Sequence, residues 1–309
     1  MKNEQLNLLQ RIALELLWAF AWTFSIMPRW FKFHVVQNFI FFLLYHCLHY
    51  RRKVVMANLE KSFPDKSAKE LHTIERGFYV TLAEMFVDTF NAAHLPERKA
   101  KDLFRVHESQ FSGFRAETKG RDWIALTAHL GCWEYCAFWG SYDPTTVVIS
   151  VYHPLHSKVI DAFYKRLRRW PNTTTVPMRE CMRYYLRNRG QLPGKNFVVG
   201  LIADQNPPLR PDSHWFRFLN QDTVFFDGAE KLALKCHLPV YFISMERARR
   251  GCYDVRIEQI YDGVEEVAPN EITGRYVRKL EQEIIDHPDL WMWSHRRWKH
   301  KRPAADGNN

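Results

Sequence analysis

The chain has 309 residues, of which 46% are hydrophobic and 25% are charged, so it can bury a sizeable core and falls outside the disordered and low-complexity classes. This length suits either one large domain or two small ones. Lysine and arginine outnumber aspartate and glutamate by 44 to 34, and the formal charge of +10 favours an anionic partner: nucleic acid, anionic lipid or an acidic protein. Aromatic residues make up 15% of the chain, which suits a membrane surface at least as well as nucleic acid.

Six cysteines are scattered along the chain, at positions 47, 132, 136, 181, 236 and 252. No CxxC pair or Cys/His group has the spacing of zinc ligands, and the pattern is not that of a small disulfide scaffold. We therefore expect reduced thiols in a protein that faces the cytosol, and no metal site.

Two apolar stretches occupy the N-terminal fifty residues, at positions 6–27 and 33–50. Polar side chains interrupt both, so neither is a continuous run of about 20 apolar residues, the length that a spanning helix needs. No small-residue cleavage site follows the first stretch, which argues against a removable signal peptide. The cationic triplet at 51–53 comes next, and such clusters tend to stay cytoplasmic. We predict that these helices anchor the chain on the cytoplasmic face of a membrane, lying on it or spanning it once; two core helices of a soluble protein are the alternative.

Farther along, helical and then alternating patterns indicate an α/β fold. Ser67 and Glu70 form an S-x-x-E capping box, and apolar residues then recur at three- and four-residue steps up to Met85. Strand-like apolar runs follow at 123–128, 146–151, 197–203, 240–245 and 253–257. Helical stretches lie at 133–140, 155–170, 179–188 and 227–236, and a last helix runs from Asn270, its predicted N-cap, to a stop before Pro288. This alternation predicts a mixed, largely parallel central sheet flanked by helices.

The stretch most informative for chemistry is IALTAHLGCWE at residues 124–134. An apolar strand delivers His129 to its carboxyl end, where the ligand sites of open α/β sheets gather, and Gly131 allows a tight turn before a helix begins near Glu134. A histidine can take a proton near neutral pH, and a nearby carboxylate can fix its tautomer and stabilise the imidazolium. An H-x4-E pattern by itself is a weak signal and is more typical of a core or surface histidine than of a catalytic one.

Several motifs occur in a fixed order along the chain. They are RRKVVMANL at 51–59, SFP at 62–64, HLGCWE at 129–134, YHP at 152–154, RLR at 166–168, ADQN at 203–206 and WMWSHRRWK at 291–299. In this order they resemble the late lipid A acyltransferases of lauroyl and myristoyl type, within the lysophospholipid-acyltransferase-like superfamily, over roughly residues 8–302. The sequence departs from the glycerolipid branch in the alanine before His129 and in lacking an E-G-T block. Glu134 stands where aspartate is commoner.

The resemblance implies an O-acyltransferase with a glycerolipid-acyltransferase-like fold. It would move a fatty acyl chain from acyl carrier protein to a hydroxyl of a lipid A precursor at the bacterial inner membrane, with membrane phospholipid around it and without a metal or other cofactor. His129 would be the general base, and Glu134 would orient and polarise it. The predicted substrate-binding, oxyanion or phosphate residues are Arg166, Asp204, Arg296 and Arg297.

These predictions leave alternatives open. Asp204 could instead cap the turn after its strand, and the three arginines could be solvated surface charge. The acceptor could be another membrane lipid, such as an aminolipid or a lysophospholipid, because base and fold would be the same. A basic nucleic-acid- or membrane-binding module is more remote, since no motif of the usual DNA or RNA modules is present.

The absence of repeats and of a long linker favours one catalytic domain preceded by the apolar helices. We expect a membrane-associated helical segment at residues 1–50, an acyltransferase catalytic domain at residues 51–302 and a disordered tail at residues 303–309.

Overall fold

A computed structural model of the chain describes residues 6–118 and 120–303. Its α-helices are α1 (Leu8–Ile26), α2 (Gln37–Phe42), α3 (Arg52–Ser62), α4 (Ala68–Ala92), α5 (Glu97–Leu103), α6 (Glu108–Thr118), α7 (Lys158–Leu167), α8 (Cys181–Asn188), α9 (Gly228–Cys236) and α10 (Glu271–Asp286). Two π-helical segments, Phe31–Val36 and Leu43–Cys47, flank α2, and two 3₁₀-helices span Trp133–Ser141 and Met178–Glu180. All but the first residue of the predicted tail lies outside the described residues.

The strands are β1 (Phe104–Val106), β2 (Trp123–Thr127), β3 (Thr146–Tyr152), β4 (Thr173–Pro177), β5 (Asn196–Ile202), β6 (Trp215–Phe218), β7 (Gln221–Val224), β8 (Val240–Arg249) and β9 (Cys252–Tyr261). Seven of them form one sheet in the order β1-β9-β8-β2-β5-β3-β4, and β6 pairs with β7 in a separate hairpin. Within the large sheet every neighbouring pair is parallel except β8 and β9. The predicted mixed, largely parallel sheet is therefore confirmed.

The register of the two central strands decides where the functional residues emerge. β2 and β5 pair in parallel from Trp123 opposite Val198 to Thr127 opposite Ile202. Helices cover both faces of these strands, which explains their nearly continuous apolar sequences. Since the two strands end side by side, the residues that follow Thr127 and Ile202 leave the sheet at the same edge.

The two faces of the sheet carry separate cores. On one face, Ile124, Leu126 and Val199 pack with α8, α9 and α10 in the larger apolar cluster. On the other face, Trp123 and Val198 pack with α6, α7 and the first 3₁₀-helix in an aromatic cluster. Alternate side chains of one strand point to opposite faces, so each strand supplies both clusters.

The first N-terminal helix, α1, packs against the second, aromatic side of the molecule, whereas Phe41, Leu44 and Tyr45 of the second apolar stretch pack against the larger cluster. α1 lies on α4 and α7, where the rings of Trp18 and Phe163 are 5.6 Å apart. Large apolar side chains of α1 remain on the surface, among them Leu8, Leu9 and Leu16. Among the described residues, no single helix has the length and apolar character to cross a membrane; only the pair Phe31–Cys47 and Arg52–Ser62, bent by 87°, meets those two criteria together.

Most predicted elements are present, and the missed ones are short. The capping box of Ser67 and Glu70 forms at the start of α4, and α10 ends at Asp286, before Pro288. Asn270 precedes α10 but adopts φ 67° and its side chain makes no capping hydrogen bond. The edge strands β1 and β4 and the β6–β7 hairpin were not predicted. The hairpin turns at Leu219 and Asn220, both with positive φ, where the usual Asn-Gly signal is missing.

Candidate active site

A sharp turn after β2 presents His129. Gly131 has φ +48°, and a Cβ placed on it would lie 2.5 Å from the ring of Tyr253, so only glycine fits this position without a shift of neighbouring atoms. Leu130 forms an isolated antiparallel bridge with Trp291, which ties the turn to the chain after α10. The hydroxyl of Tyr253 lies 3.2 Å from the buried Asp88 carboxylate of α4. The Trp291 bridge and the Tyr253 ring therefore hold the turn in place.

Asp204 is the carboxylate that contacts His129. Its Oδ1 lies 2.7 Å from His129 Nδ1, and its Oδ2 accepts a hydrogen bond of 3.2 Å from the backbone N–H of His129. Asp204 follows β5 just as His129 follows β2, so the parallel register brings them together across 75 residues of sequence. The side chains are 2% exposed for Asp204 and 16% exposed for His129.

The surroundings of Asp204 favour its charged form. Burial alone would raise the pKa of Asp204, but the positive charge of His129 and hydrogen bonds from His129 and Trp291 hold the pKa below its usual value. The Trp291 indole Nε1 donates to Oδ2 over 2.8 Å. When the imidazole is neutral, a charged Asp204 accepts a hydrogen bond from Nδ1–H of His129, which leaves Nε2 as the free basic nitrogen. The side-chain amide of Gln205 lies 3.2 Å from that Nε2 and can donate to it.

Glu134 lies at the same site but pairs with a different residue. Its two oxygens accept hydrogen bonds of 2.7 Å from Nε and Nη2 of Arg168, in a bidentate arrangement. Trp133 Nε1 donates to the same carboxylate over 3.2 Å, and the Trp133 ring packs edge-on to His129 at 4.6 Å. No hydrogen bond joins Glu134 to His129 among the described residues. The structure thus replaces the predicted Glu134–His129 contact by Glu134–Arg168, because Asp204 occupies the Nδ1 side of the imidazole.

A cavity of about 560 Å³ opens beside these groups, on the aromatic face of the sheet. At the carboxyl edge it is lined by His129, Glu134, Arg168 and Gln205. It also reaches Trp123 at the start of β2, six residues before His129, which is roughly 20 Å along an extended strand. The lining between them is mainly apolar or small: Ala125, Ala137, Trp139, Val148, Val198, Gly200 and Ile243. A long apolar chain could lie in this space with its reactive end at His129.

The C-terminal motif at 291–299 makes hydrogen bonds with the first motif and with the loop that carries Asp204. Asn58 Nδ2, from the first motif, donates to the backbone oxygens of Trp293 and His295 over 2.8 and 3.0 Å. Arg297 donates over 2.9 Å to Asn206 Oδ1 and over 2.7 Å to the carbonyl of Val224. Motifs that are far apart in sequence therefore form one structural support for the loop that carries Asp204.

Two predicted ligand-binding residues, Asp204 and Arg297, are placed where substrate cannot reach their charged groups. Arg297 is 2% exposed and its guanidinium stacks 4.4 Å from the centre of the Phe225 ring. Burial lowers the pKa of Arg297 to about 10. In this structure both charged groups are bonded to protein groups, Arg297 to Asn206 and Val224 and Asp204 to His129 and Trp291, so their phosphate- and substrate-binding roles stay predictions without a supporting contact. The turn-capping alternative for Asp204 has no supporting contact among the described residues, because its carboxylate accepts hydrogen bonds from His129 and Trp291 and none from the turn after β5.

The other two predicted arginines lie outside the cavity lining. Nη1 of Arg166 donates to both carboxylate oxygens of Glu15 of α1, over 2.8 and 3.0 Å, and the guanidinium lies 4.3 Å from the centre of the Trp18 ring. Its observed contacts attach α7 to α1 rather than form an oxyanion or phosphate site. Arg296 is exposed, and its backbone oxygen accepts a hydrogen bond from Asn206.

Sequence reasoning missed Arg168 as a site residue, although it closes the quoted RLR motif. On α7, residues 166 and 168 point about 200° apart around the helix axis, so only one of them can face the cavity. Which of the two arginines faces the cavity depends on how α7 packs on the sheet, and no local sequence pattern predicts that packing. Among the described residues, no group of three or more His, Cys, Asp or Glu side chains is arranged to hold a metal ion.

One comparison with known proteins identifies a family. The sequence pattern of a family described as bacterial lipid A biosynthesis acyltransferase matches residues 1–300. A search of curated proteins finds no match. The family match spans nearly the whole chain, including the β2 turn, the Asp204 loop and the C-terminal motif.

Proposed function

The chain belongs to the bacterial lipid A biosynthesis acyltransferase family, and we propose that it transfers a fatty acyl chain from acyl carrier protein to a hydroxyl of a lipid A precursor. The observation that carries the proposal is the 2.7 Å contact of His129 with Asp204 at one end of a long apolar cavity. The pair supplies a base for a hydroxyl group, and the cavity supplies room for hydrocarbon next to that base.

In the proposed reaction, Nε2 of His129 takes the proton of the acceptor hydroxyl as its oxygen attacks the thioester carbonyl. The new C–O bond forms, the C–S bond breaks, and the imidazolium returns its proton to the leaving thiolate. Asp204 keeps Nδ1 protonated and stabilises the positive imidazolium between these steps. A positioned general base contributes about 10²- to 10⁴-fold to the rate.

Arg168 is the residue that we assign to the negative charge developing on the thioester oxygen. It lines the cavity together with His129, and a planar guanidinium donates to oxygens in a fixed geometry. Glu134 then acts as a positioning residue, because its two hydrogen bonds hold the guanidinium in place. This division keeps both residues of the H-x4-E motif in the site and gives each its own partner.

The cavity is where we place the acyl chain of the donor. Its lining between Trp123 and His129 is mainly apolar or small, and a chain buried there gains about 0.8 kcal/mol for each methylene removed from water. The proposed reaction uses no cofactor, because the acyl thioester of the carrier protein is a co-substrate.

We further propose that the enzyme works at the cytoplasmic face of the inner membrane. The exposed leucines of α1, with Trp22 and Trp30 also on the surface, supply the apolar and aromatic groups typical of a membrane interface. Phospholipid is the expected partner of this surface, and nucleic acid is not part of the proposal.

Transfer from acyl carrier protein to the lipid A precursor, measured with purified protein, tests the proposal. We expect His129→Ala to lose at least about 100-fold in kcat, whereas His107→Ala, which changes an exposed histidine before α6, should match the wild type. A His129→Ala variant with near-normal turnover would refute His129 as the base. Mass spectrometry of lipid A from a deletion strain tests the acceptor: an unchanged acyl count would point to another membrane lipid.

A further inference from the structure

A second apolar groove lies on the opposite face of the sheet from the catalytic cavity. It has a volume of about 160 Å³ and lies between α8, the end of β5 and α9. Apolar or small groups line it throughout, among them Cys181, Met182, Leu201, Ala229 and Leu232. Burial raises the pKa of the Cys181 thiol to about 11, so this side chain is neutral as well. Nothing in the reaction proposed above uses this groove.

The groove and the catalytic cavity meet at the carboxyl edge of the sheet. Met178, Ile202 and Phe226 line both of them. Ile202 ends β5 two residues before Asp204, and Ala203, which lines the groove, separates the two. A molecule whose hydrocarbon lies in the groove would therefore have its polar part near His129. The three shared residues would separate its hydrocarbon from the donor's acyl chain in the cavity.

Unpaired cations lie beside the groove on α8 and the 3₁₀-turn before it. Arg179, Arg183 and Arg187 follow one another at four-residue steps, which places them on one stripe of the helix, next to Met178 and Met182. All three are exposed, and among the described residues none forms an ion pair or a side-chain hydrogen bond. Residues 158–195 contain ten lysines and arginines against two acidic residues, so most of the chain's net charge of +10 lies here.

We propose that this groove binds a hydrocarbon chain of the acceptor lipid, while Arg179 and Arg183 bind its anionic headgroup. The inference rests on the proposed acyl transfer to a phosphorylated lipid A precursor and locates that acceptor. Each substrate then has its own apolar site, on opposite faces of the sheet, and the two sites meet at His129. The methionines at the rim suit a flexible chain, because their unbranched thioethers adapt to irregular shapes.

A glycine in the groove allows a filling substitution with a matched control. Gly228, the first residue of α9, has no atom within 4 Å of an added Cβ and does not require positive φ, so Gly228→Leu places its side chain in the groove without backbone strain. Gly113 on α6 has the same open surroundings but lies on the surface away from both cavities, so Gly113→Leu is the control. Arg98→Gln controls for Arg179→Gln/Arg183→Gln, because Arg98 of α5 is also exposed and forms no ion pair or side-chain hydrogen bond within residues 6–118 and 120–303.

The test is direct binding of the lipid A precursor in detergent, without any donor, followed by addition of acylated carrier protein. We expect Gly228→Leu to raise the Kd of the precursor about tenfold, the loss expected when about two methylenes are no longer buried. Arg179→Gln/Arg183→Gln should raise the Kd about threefold or more for the phosphorylated precursor and leave the dephosphorylated one unaffected. In the transfer assay, the preferred length of the donor's acyl chain should not change.

Three results would overturn this assignment: unchanged binding by Gly228→Leu relative to Gly113→Leu, a changed donor chain-length preference, or no binding of the precursor by the wild type. Failure of the proposed function looks different, because the precursor would bind and respond to the variants but would not be acylated when the donor is added.

Discussion

Two buried carboxylates beside the same cavity each bind a basic side chain: Asp204 after β5 binds His129 after β2, and Glu134 of the first 3₁₀-helix binds Arg168 at the end of α7. The two pairs differ in kind. Asp204 holds an imidazole, a group that can gain and lose a proton in a reaction, whereas Glu134 holds a guanidinium that stays charged at any physiological pH. Only the first pair can move a proton during turnover. The second can hold a fixed charge in a fixed place, which is the property needed for a negatively charged transition state.

We expect the largest effect from Asp204→Asn, which alters the Asp204–His129 pair. The amide has the same shape but no charge, and it can present its NH₂ group to Nδ1, which would reverse the tautomer that leaves Nε2 free. We expect kcat to fall about a thousandfold or more, with a smaller change in KM for either substrate. A steady-state assay measures this, and a wild-type kcat in the variant would exclude Asp204 as the residue that positions His129.

Glu134→Gln breaks the Glu134–Arg168 pair. We expect it to reduce stability strongly and to reduce activity less than Asp204→Asn does. It leaves Arg168 largely buried without its charge partner, a change that costs about 3 kcal/mol in stability for buried pairs. Activity should fall by about 100-fold, less than in Asp204→Asn, because the base remains intact. Thermal unfolding and kcat measured together test the contrast.

Arg168→Lys is the companion variant, since it keeps the charge and loses the two-pronged geometry. If Glu134→Gln lost more activity than Asp204→Asn while keeping its stability, the two roles would have to be exchanged.

The smallest expected effect is a pH dependence of the free energy of unfolding, which arises from His295 and Asp204. Burial lowers the pKa of His295 to about 4, and this ring contacts Asn206 near the Asp204 loop. Because the unfolded chain protonates His295 near pH 6.5 and the folded protein does so near 4, the free energy of unfolding should decrease as pH falls through that window. The contribution of Asp204, whose pKa lies below its usual value, should persist until the pH falls below about 4.

A His295→Gln variant provides the comparison for the pH experiment. Its stability, followed by denaturant unfolding between pH 7 and 4, should depend less on pH than that of the wild type. Equal slopes for the two proteins would show that His295 is not held neutral in the folded state.

The elements around the site were largely predictable, and the pairing within the site was not. The apolar runs of β2, β5 and β8 and the Ser67 capping box are local patterns that appear in the structure almost as predicted. The short edge strands β1 and β4 have little local signal, because edge strands are stabilised by pairing with their neighbours. Arg166 and Arg168 are nearly equivalent in sequence, and only the packing of α7 on α1 separates the one that holds Glu15 from the one that holds Glu134.

By itself the sequence determined the family, the mixed parallel sheet and the position of His129 at a strand end, since each depends on ordered motifs or on the period of apolar residues. The tertiary structure decided which charged groups meet. It brought Asp204 rather than Glu134 to the imidazole and buried Arg297 in the C-terminal support. It left Arg179, Arg183 and Arg187 exposed, without an ion pair among the described residues. The physical reason is that sheet register joins residues 75 positions apart, and burial then determines whether a charge serves chemistry, structure or binding.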